Sequence, residues 1–247
     1  MKVFLASIES FTEQERNFVQ GNGVNGLASF FNMNTKTAEI LPYLDNFLLD
    51  SGAYTLFTSG RHVDWIDYIK KYSEFITAYN IRHFFELDID SLIGYDKVVV
   101  LRKKLEDLTG KPVIPVWHKS RGKERFIEMC EEYKYVAIGG IVSKEIKRTE
   151  YPVFSYLINE AHKRGCKIHG LGFTNMEGMK RYHFDSVDST AWLAGNKFGF
   201  IYNFNGTDMV KSQVPKGHRL GKTAWSDARL HNLQEWKKFC NYAEVKL

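Results

Sequence analysis

Residues 83–118 read HFFELDIDSLIGYDKVVVLRKKLEDLTGKPVIPVWH. HFFELDI is a short, mostly apolar run, the pattern of a strand buried on both faces. Val98, Leu101, Leu105 and Leu108 then recur at spacings of three and four, which places them on one helical face, and Gly110 stops that helix. PVIPVW is a second buried run. Strand, helix and strand in succession form the unit from which parallel sheets are built.

The same alternation extends in both directions. VFLASI and NFLLDSG precede the unit, and YVAIGGI, KIHGLGF, FDSVDS and FGFIYNF follow it, which makes eight strand candidates. Trp65, Ile69, Tyr72, Ile76 and Tyr79 mark a helix before it, and Phe126, Ile127 and Cys130 another after it. Pro152 near a start, Phe154, Leu157, Ile158 and Ala161 on one face, and Gly165 beyond the end outline the next. Thr174 and Glu177 match a capping box, and a last helix is expected from about Ser226 through Leu230, Leu233, Trp236 and Cys240. Tyr68, Tyr72, Phe75 and Tyr79 form an aromatic stripe, read as packing against strands rather than as a base-stacking surface.

Eight strands in roughly 250 residues is the arithmetic of a single-domain α/β (β/α)8 TIM-like barrel. It is expected to span residues 1–247, with a basic C-terminal segment from about 205 to 247. A doubly wound open sheet is the alternative, but no GxGxxG follows the first strand, and GNGVNG at 21–26 has the wrong spacing.

Composition narrows the classes. Hydrophobic residues make up 44% of the 247 and charged residues 26%, ordinary for a globular chain. No apolar run approaches the roughly 18 residues of a membrane span, and MKVFLASIES reads as a first strand rather than a signal peptide. Cys130, Cys166 and Cys240 are widely spaced, which indicates neither disulfides nor a cysteine zinc site and suits the cytoplasm. The net charge is +5, and Lys211, Lys216, His218, Arg219, Lys222 and Arg229 concentrate basic residues near the C-terminus. That segment is either a solvated loop or a phosphate-tracking one.

Barrel chemistry sits at the C-terminal ends of the strands. Those ends hold Asp50-Ser51-Gly52, Asp88-Ile89-Asp90, Trp117-His118, Gly139-Gly140, His169-Gly170-Leu171-Gly172 and Asp185-Ser186-Val187-Asp188. Singly, each has an ordinary explanation: an Asp caps the next helix, a Gly pair makes a turn, a His is satisfied by hydrogen bonds. Together, three strands direct carboxylates to one rim, where burial and repulsion set their pKa values apart. His118 and His169 with an Asp would suit a metal, although HxH and HExxH are both missing.

In this order, the motifs resemble the tRNA-guanine transglycosylase superfamily. DSGAY (50–54) is similar to its DSGGF, ELDID (86–90) to its base-reading aspartate strand, and AIGGIV (137–142) to its GGL turn. HGLGFTNME (169–177) is similar to its MGVGTPED, and FDSVDS (184–189) to its DLFDC or DLFDS. The resemblance spans roughly residues 45 to 195. It implies a (β/α)8 fold, Asp188 as nucleophile and Asp50 as acid and base. It also implies that Asp88 reads the base, with Gly139, Gly140, Trp117, His118 and His169 around it. Asp185 and Asp90 are supporting acids, Asp185 also being the nucleophile of a shifted alignment. Lys211, Lys216, Arg219, Lys222 and Arg229 would contact the nucleic-acid backbone.

The sequence departs from the family in lacking its zinc site and room for its appended RNA-binding domain. Trp117-His118 also replace its glutamine, and His169 its methionine. The chain therefore looks more like the compact phage-type branch that exchanges guanine in DNA for a 7-deazaguanine, a free preQ0-like base being the co-substrate. The implied partner is DNA, with tRNA the alternative, in the cytoplasm of an infected cell. The chemistry asks for no metal and no cofactor. The rivals are an N-glycosidase, a metal-dependent hydrolase and a non-catalytic nucleic-acid-binding barrel.

Overall fold

The computed structural model describes residues 1–60, 63–193, 200–213 and 222–247. Its centre is a seven-stranded parallel sheet of β1 (Lys2–Ala6), β2 (Asn25–Ser29), β3 (Asn46–Asp50), β4 (Val116–Trp117), β5 (Tyr135–Ile138), β6 (Lys167–Gly170) and β7 (Ser186–Ser189). The order is β3-β2-β1-β7-β6-β5-β4, so first and last strands are neighbours and the winding has no reversal. Between β3 and β4, Leu49 bridges Phe84 and Phe85 bridges Ile114, both in parallel sense. Phe85 N donates to Leu49 O at 2.9 Å, and Ile114 N to Phe84 O at 2.9 Å. HFFELDI therefore lies between β3 and the residues just before β4, held by two isolated bridges rather than as a full strand.

Two expectations about strands need correction. NGLAS at 25–29 is a parallel strand with four buried residues, although Asn and Gly are poor strand formers. Tertiary packing overrides propensity there: a Cβ on Gly26 would lie 2.8 Å from Ile8 Cδ1. FGFIYNF, in contrast, is not a barrel strand. Its described part, β8 (Phe200–Phe204), pairs antiparallel with β9 (Met209–Gln213). Asn205 closes that hairpin by accepting from the Thr207 and Asp208 amides.

Around the sheet lie α1 (Glu13–Asn22), α2 (Thr35–Ile40), α3 (Ala53–Thr58), α4 (Trp65–Ala78), α5 (Asp90–Ile93), α6 (Tyr95–Thr109), α7 (Gly122–Glu132), α8 (Val153–Lys163), α9 (Met176–Arg181) and α10 (Lys222–Lys246). The apolar faces read from sequence on α4, α6, α7 and α8 are the buried ones, except that Trp65 and Ile127 are half-buried and Leu108 and Tyr79 are exposed. Tyr72 donates to Leu49 O at 3.0 Å and lies 3.2 Å from Phe85 O, so the aromatic stripe anchors α4 where the sheet is only bridged. Asn175, not Thr174, caps α9 by accepting from Gly178 N at 2.6 Å. The last helix begins at Lys222 rather than near Ser226, and β8 packs on it through Tyr202 N donating to Asn232 Oδ1 at 2.8 Å.

Strand alternation divides the core. Val3, Leu5, Val136, Ile138, Ile168 and Val187 belong to the cluster packed with the helices. Phe4, Ala6, Leu27, Leu48, Phe85, Ile114, Val116 and Ala137 form a separate cluster inside the sheet.

Candidate active site

Alternation also decides which rim residues converge. Asp50, Asp88, Asp90, His118, Gly139, Gly140, Gly172 and Asp188 line one cavity of about 690 Å³ at the C-terminal ends of the strands. The three carboxylates Asp50, Asp88 and Asp188 thus meet from separate segments of the sheet, as their positions in sequence led us to expect.

Asp188 has the inward parity of Ser186 and is largely buried. Its Oδ1 accepts from Gly172 N at 2.6 Å and lies 3.2 Å from His169 Nε2, while Oδ2 makes no hydrogen bond to the described residues. His169 is fully buried beneath it, between the rings of Phe4 and Phe85. Its Nδ1 is 2.6 Å from Ser186 Oγ, which in turn contacts the Tyr135 hydroxyl. With Asp188 ionised, this chain has one consistent direction: Tyr135 donates to Ser186, Ser186 to Nδ1, and Nε2–H to Asp188. His169 is therefore a support for Asp188, not the stacking partner for a base that its position suggested.

Asp50 ends β3 and accepts from Gly52 N at 3.3 Å. Burial pushes its carboxyl up to about 7, and the Asp88 and then the Asp188 charges reinforce this against the Gly52 amide. Gly52 adopts φ 66, and a Cβ there would lie 2.2 Å from Ser29 Oγ, so the turn that presents Asp50 depends on this glycine.

His118 lies between two acids, with Nε2 2.7 Å from Asp88 Oδ1 and Nδ1 3.0 Å from Glu145 Oε2. Burial alone would lower its pKa, but Asp88 and Glu145 outweigh burial and raise it to about 9. Each ring nitrogen of this imidazolium donates to one carboxylate. Burial also opposes ionisation of Glu145, yet the Ser120 amide and His118 hold its carboxyl below the ordinary range. Gly139 and Gly140 serve this arrangement: their Cβ atoms would lie 2.7 Å from His118 Cε1 and 2.7 Å from Glu145 Oε2. Their bare faces are filled by protein side chains, so they do not offer the close approach to a base expected from sequence.

Trp117 has the opposite parity to Val116. It is buried in the helix-facing core with its Nε1 donating to Gly122 O at 2.8 Å, and it is absent from the cavity wall. Asp185 lies at the other end of β7, where Oδ2 meets His162 Nε2 at 2.9 Å and Ile168 N at 2.8 Å. Two residues of strand, Ser186 and Val187, separate it from Asp188, which removes it as an alternative nucleophile of this cavity. Asp90 reaches the cavity but is held by Arg121 Nε at 2.8 Å. Against the opposing effect of burial, that guanidinium holds the Asp90 carboxyl below its usual range.

The basic segment is only partly described. Lys211 lies on β9 over the Phe200 ring, 3.3 Å from its centroid, and Lys222 opens α10. Lys216 and Arg219 lie outside the described residues. Arg229 pairs with the buried Glu15 at 2.8 Å and donates to Ser10 O, so it is committed to joining α10 to α1.

Glu145, Arg121 and Glu86 are functional neighbours that sequence reasoning passed over. Glu86 was visible as a lone charge inside an apolar strand run. Fully buried, it accepts from Arg102 Nε at 2.7 Å and Val116 N at 2.7 Å, with Arg121 Nη1 at 3.4 Å. Glu145 had no such signal, because only the turn after β5 folds it back onto His118.

Among the described residues, one side-chain set could hold a metal: ligand atoms of Asp88, Asp90 and His118 all lie within 4.8 Å of one another. A cation there would displace the His118–Asp88 hydrogen bond and face the Arg121 guanidinium. His118 and His169 do not form the metal pair considered from sequence, since His169 is turned to Asp188 and Ser186 inside the barrel.

Two solved structures, both mutant tryptophan synthase alpha-subunits from the hyperthermophile Pyrococcus furiosus, match this chain with TM-scores of 0.51 and 11% identity. Each match covers 94% of this chain and 95% of the other. The fold is of the TIM-barrel class. At that identity the likeness concerns fold alone. No family model and no curated protein matches the sequence. Among the described residues, no helix is long and apolar enough to cross a membrane.

Proposed function

We propose that this protein is a base-exchange glycosyltransferase that replaces guanine in DNA with a free 7-deazaguanine base. The observation that supports this most is the convergence of Asp50, Asp88 and Asp188 on one cavity, with Asp50 pushed up to about 7 beside the hydrogen-bonded Asp188. On this reading the barrel is complete, with Phe84–Phe85 as the eighth strand between β3 and β4, because that segment bridges both.

Asp188 Oδ2 attacks C1′ as the bond to guanine breaks, and Asp50 supplies the proton that leaves with the base. The sugar is then held as an ester of Asp188, as in retaining glycosidases. The 7-deazaguanine enters, gives its proton to the Asp50 carboxylate, and attacks C1′ to release Asp188. Asp88 spends Oδ1 on His118, and its other oxygen accepts from the donor edge of the base. The target nucleotide reaches the cavity flipped out or single-stranded.

Phosphate contacts fit the rim better than the C-terminal helix. The turn after β5 seats Val142 on Gly172, directly above Asp188, and sends Glu145 inward. Lys144, Lys147 and Arg148 on this turn are exposed. They are the candidates for contacts to the nucleic-acid backbone on this reading.

The test supplies purified protein with labelled guanine and either DNA or tRNA. Label entering DNA is the expected result. Label in tRNA alone overturns the choice of acceptor, and release of guanine without incorporation identifies an N-glycosidase. A second reading, metal-assisted hydrolysis, is favoured only by the Asp88, Asp90 and His118 cluster.

A further inference from the structure

The opposite mouth of the barrel has a cavity of its own, of about 380 Å³, within the size range of small-molecule sites. We propose that it binds a small phosphorylated anion, free phosphate or a phosphate ester. The inference stands apart from the base-exchange reading, whose cavity lies at the other end of the strands; only the Tyr135–Ser186 pair, which braces His169, connects the two.

The argument starts from charge. Lys2, Arg82, Lys134 and Lys167 line this cavity, and Asp185 is its single carboxylate. Asp185 is already engaged by His162 and the Ile168 amide. Lys2 donates to Asn46 Oδ1 at 2.7 Å and approaches Glu244 at 4.0 Å. Among the described residues, the side chains of Arg82, Lys134 and Lys167 have neither an ion pair nor a hydrogen bond. This contrasts with the many surface lysines and arginines here that do have carboxylate partners, such as Lys103, Lys119 and Arg164. Three unpaired cations around one concavity repel each other, and a dianion between them would relieve that repulsion.

His83 registers this field. Its pKa is lowered by burial and then by Lys167, Lys2 and Arg82. The walls suit an organic ester as well as bare phosphate. The Tyr135 ring meets that of His83 edge-on, with centroids 6.0 Å apart, and Pro112, Val113 and Ile114 supply apolar surface. Deeper in, the Tyr135 and Ser186 hydroxyls are spent on each other and on His169, and they close the cavity floor. Phosphate oxygens would meet charge at the mouth, and an apolar or aromatic remainder would meet the wall.

The test follows the His83 ring by proton NMR in the full chain, at constant ionic strength set with sodium chloride. One arm adds inorganic phosphate, the other a nucleoside monophosphate. The expected result is a saturable shift and a rise in the His83 pKa, since the bound anion offsets the three cations. A shift with phosphate alone identifies free phosphate as the ligand, and tighter binding of the monophosphate identifies an ester. The exposed double substitution Arg82→Ala, Lys167→Ala should weaken binding about tenfold or more. Shifts no larger than chloride produces, or equal binding by the double variant, overturn the proposal.

Discussion

His169 supports Asp188 from inside the barrel, its Nε2 lying 3.2 Å from Oδ1. The histidine is fully buried, the Asp188 carboxylate calls for a proton on Nε2, and Ser186 satisfies Nδ1 from the side away from the active-site cavity. A buried polar chain persists only if every member is satisfied, and here the satisfied state leaves one Asp188 oxygen for chemistry.

Ser186→Ala removes the hydroxyl that satisfies Nδ1 and should loosen the His169 ring that holds Asp188 Oδ1. We expect kcat for base exchange to fall about tenfold with little change in KM, because the loss bears on the reacting carboxylate. Ser186→Thr should restore the rate. Imidazole nitrogen NMR checks the ring independently of activity, and an Nδ1 resonance unchanged in Ser186→Ala would refute this role.

Asp188→Ala should abolish exchange, by about a thousandfold or more, and leave the circular dichroism spectrum and melting temperature close to wild type. The covalent adduct should also vanish in mass spectra of protein quenched with DNA and no incoming base. Full exchange by this variant would exclude Asp188 as the nucleophile.

Asp50 has a folded-state pKa raised to about 7. A raised carboxyl stabilises the fold below its unfolded pKa of roughly 4, and this contribution is lost as pH rises through about 7. Asp50→Asn should therefore melt at a higher temperature than wild type at pH 8, and differ less at pH 4. Single-turnover release of guanine, which uses the protonated acid, should decline above about pH 7 in wild type. In Asp50→Asn that step should be slower by about 10²-fold or more and lose this dependence.

His118 is raised to about 9, above its unfolded value, so its stabilising contribution is complete below pH 6.5 and lost as pH rises through about 9. Urea melts at pH 7 and pH 10 should show a larger loss in wild type than in His118→Gln. Gly139→Ala, whose Cβ would meet the ring at 2.7 Å, should cost about 1–3 kcal/mol at pH 7.

Chelation separates the two readings of the rim. Arg121 holds Asp90 and Asp88 holds His118, so we expect exchange to survive dialysis against a chelator unchanged. Activity that disappears and returns on adding a divalent cation would favour the Asp88, Asp90 and His118 centre instead.

Where sequence reading succeeded, local pattern and position on a strand carried the information. NFLLDSG and YVAIGGI, the faces of α4, α6 and α8, and the three rim aspartates are all of this kind, whereas HFFELDI makes only two bridges. NGLAS was missing from the strand candidates because Asn and Gly are poor strand formers; its pairing with β1 and β3 and the packing of Gly26 against Ile8 make it a strand. Phe200–Phe204 failed in the opposite way: its pattern suits any buried strand, and its partner decides whether it is parallel or antiparallel. Trp117 and His169 were placed at the base because they end strands, but one residue of register sends Trp117 to the helices. His169 points inward and stops short of the cavity.

The sequence by itself determined the alternation of strands and helices, and with it the barrel class and the gathering of Asp50, Asp88 and Asp188 at one rim. These follow from periodicity, which is local along the chain. The tertiary structure alone decided that Glu145 folds back onto His118, that Asp185 serves the far mouth, and that Arg229 is committed to Glu15. Such pairings depend on residues distant in the chain, and their energies arise from burial and charge that exist only once the sheet has brought them together.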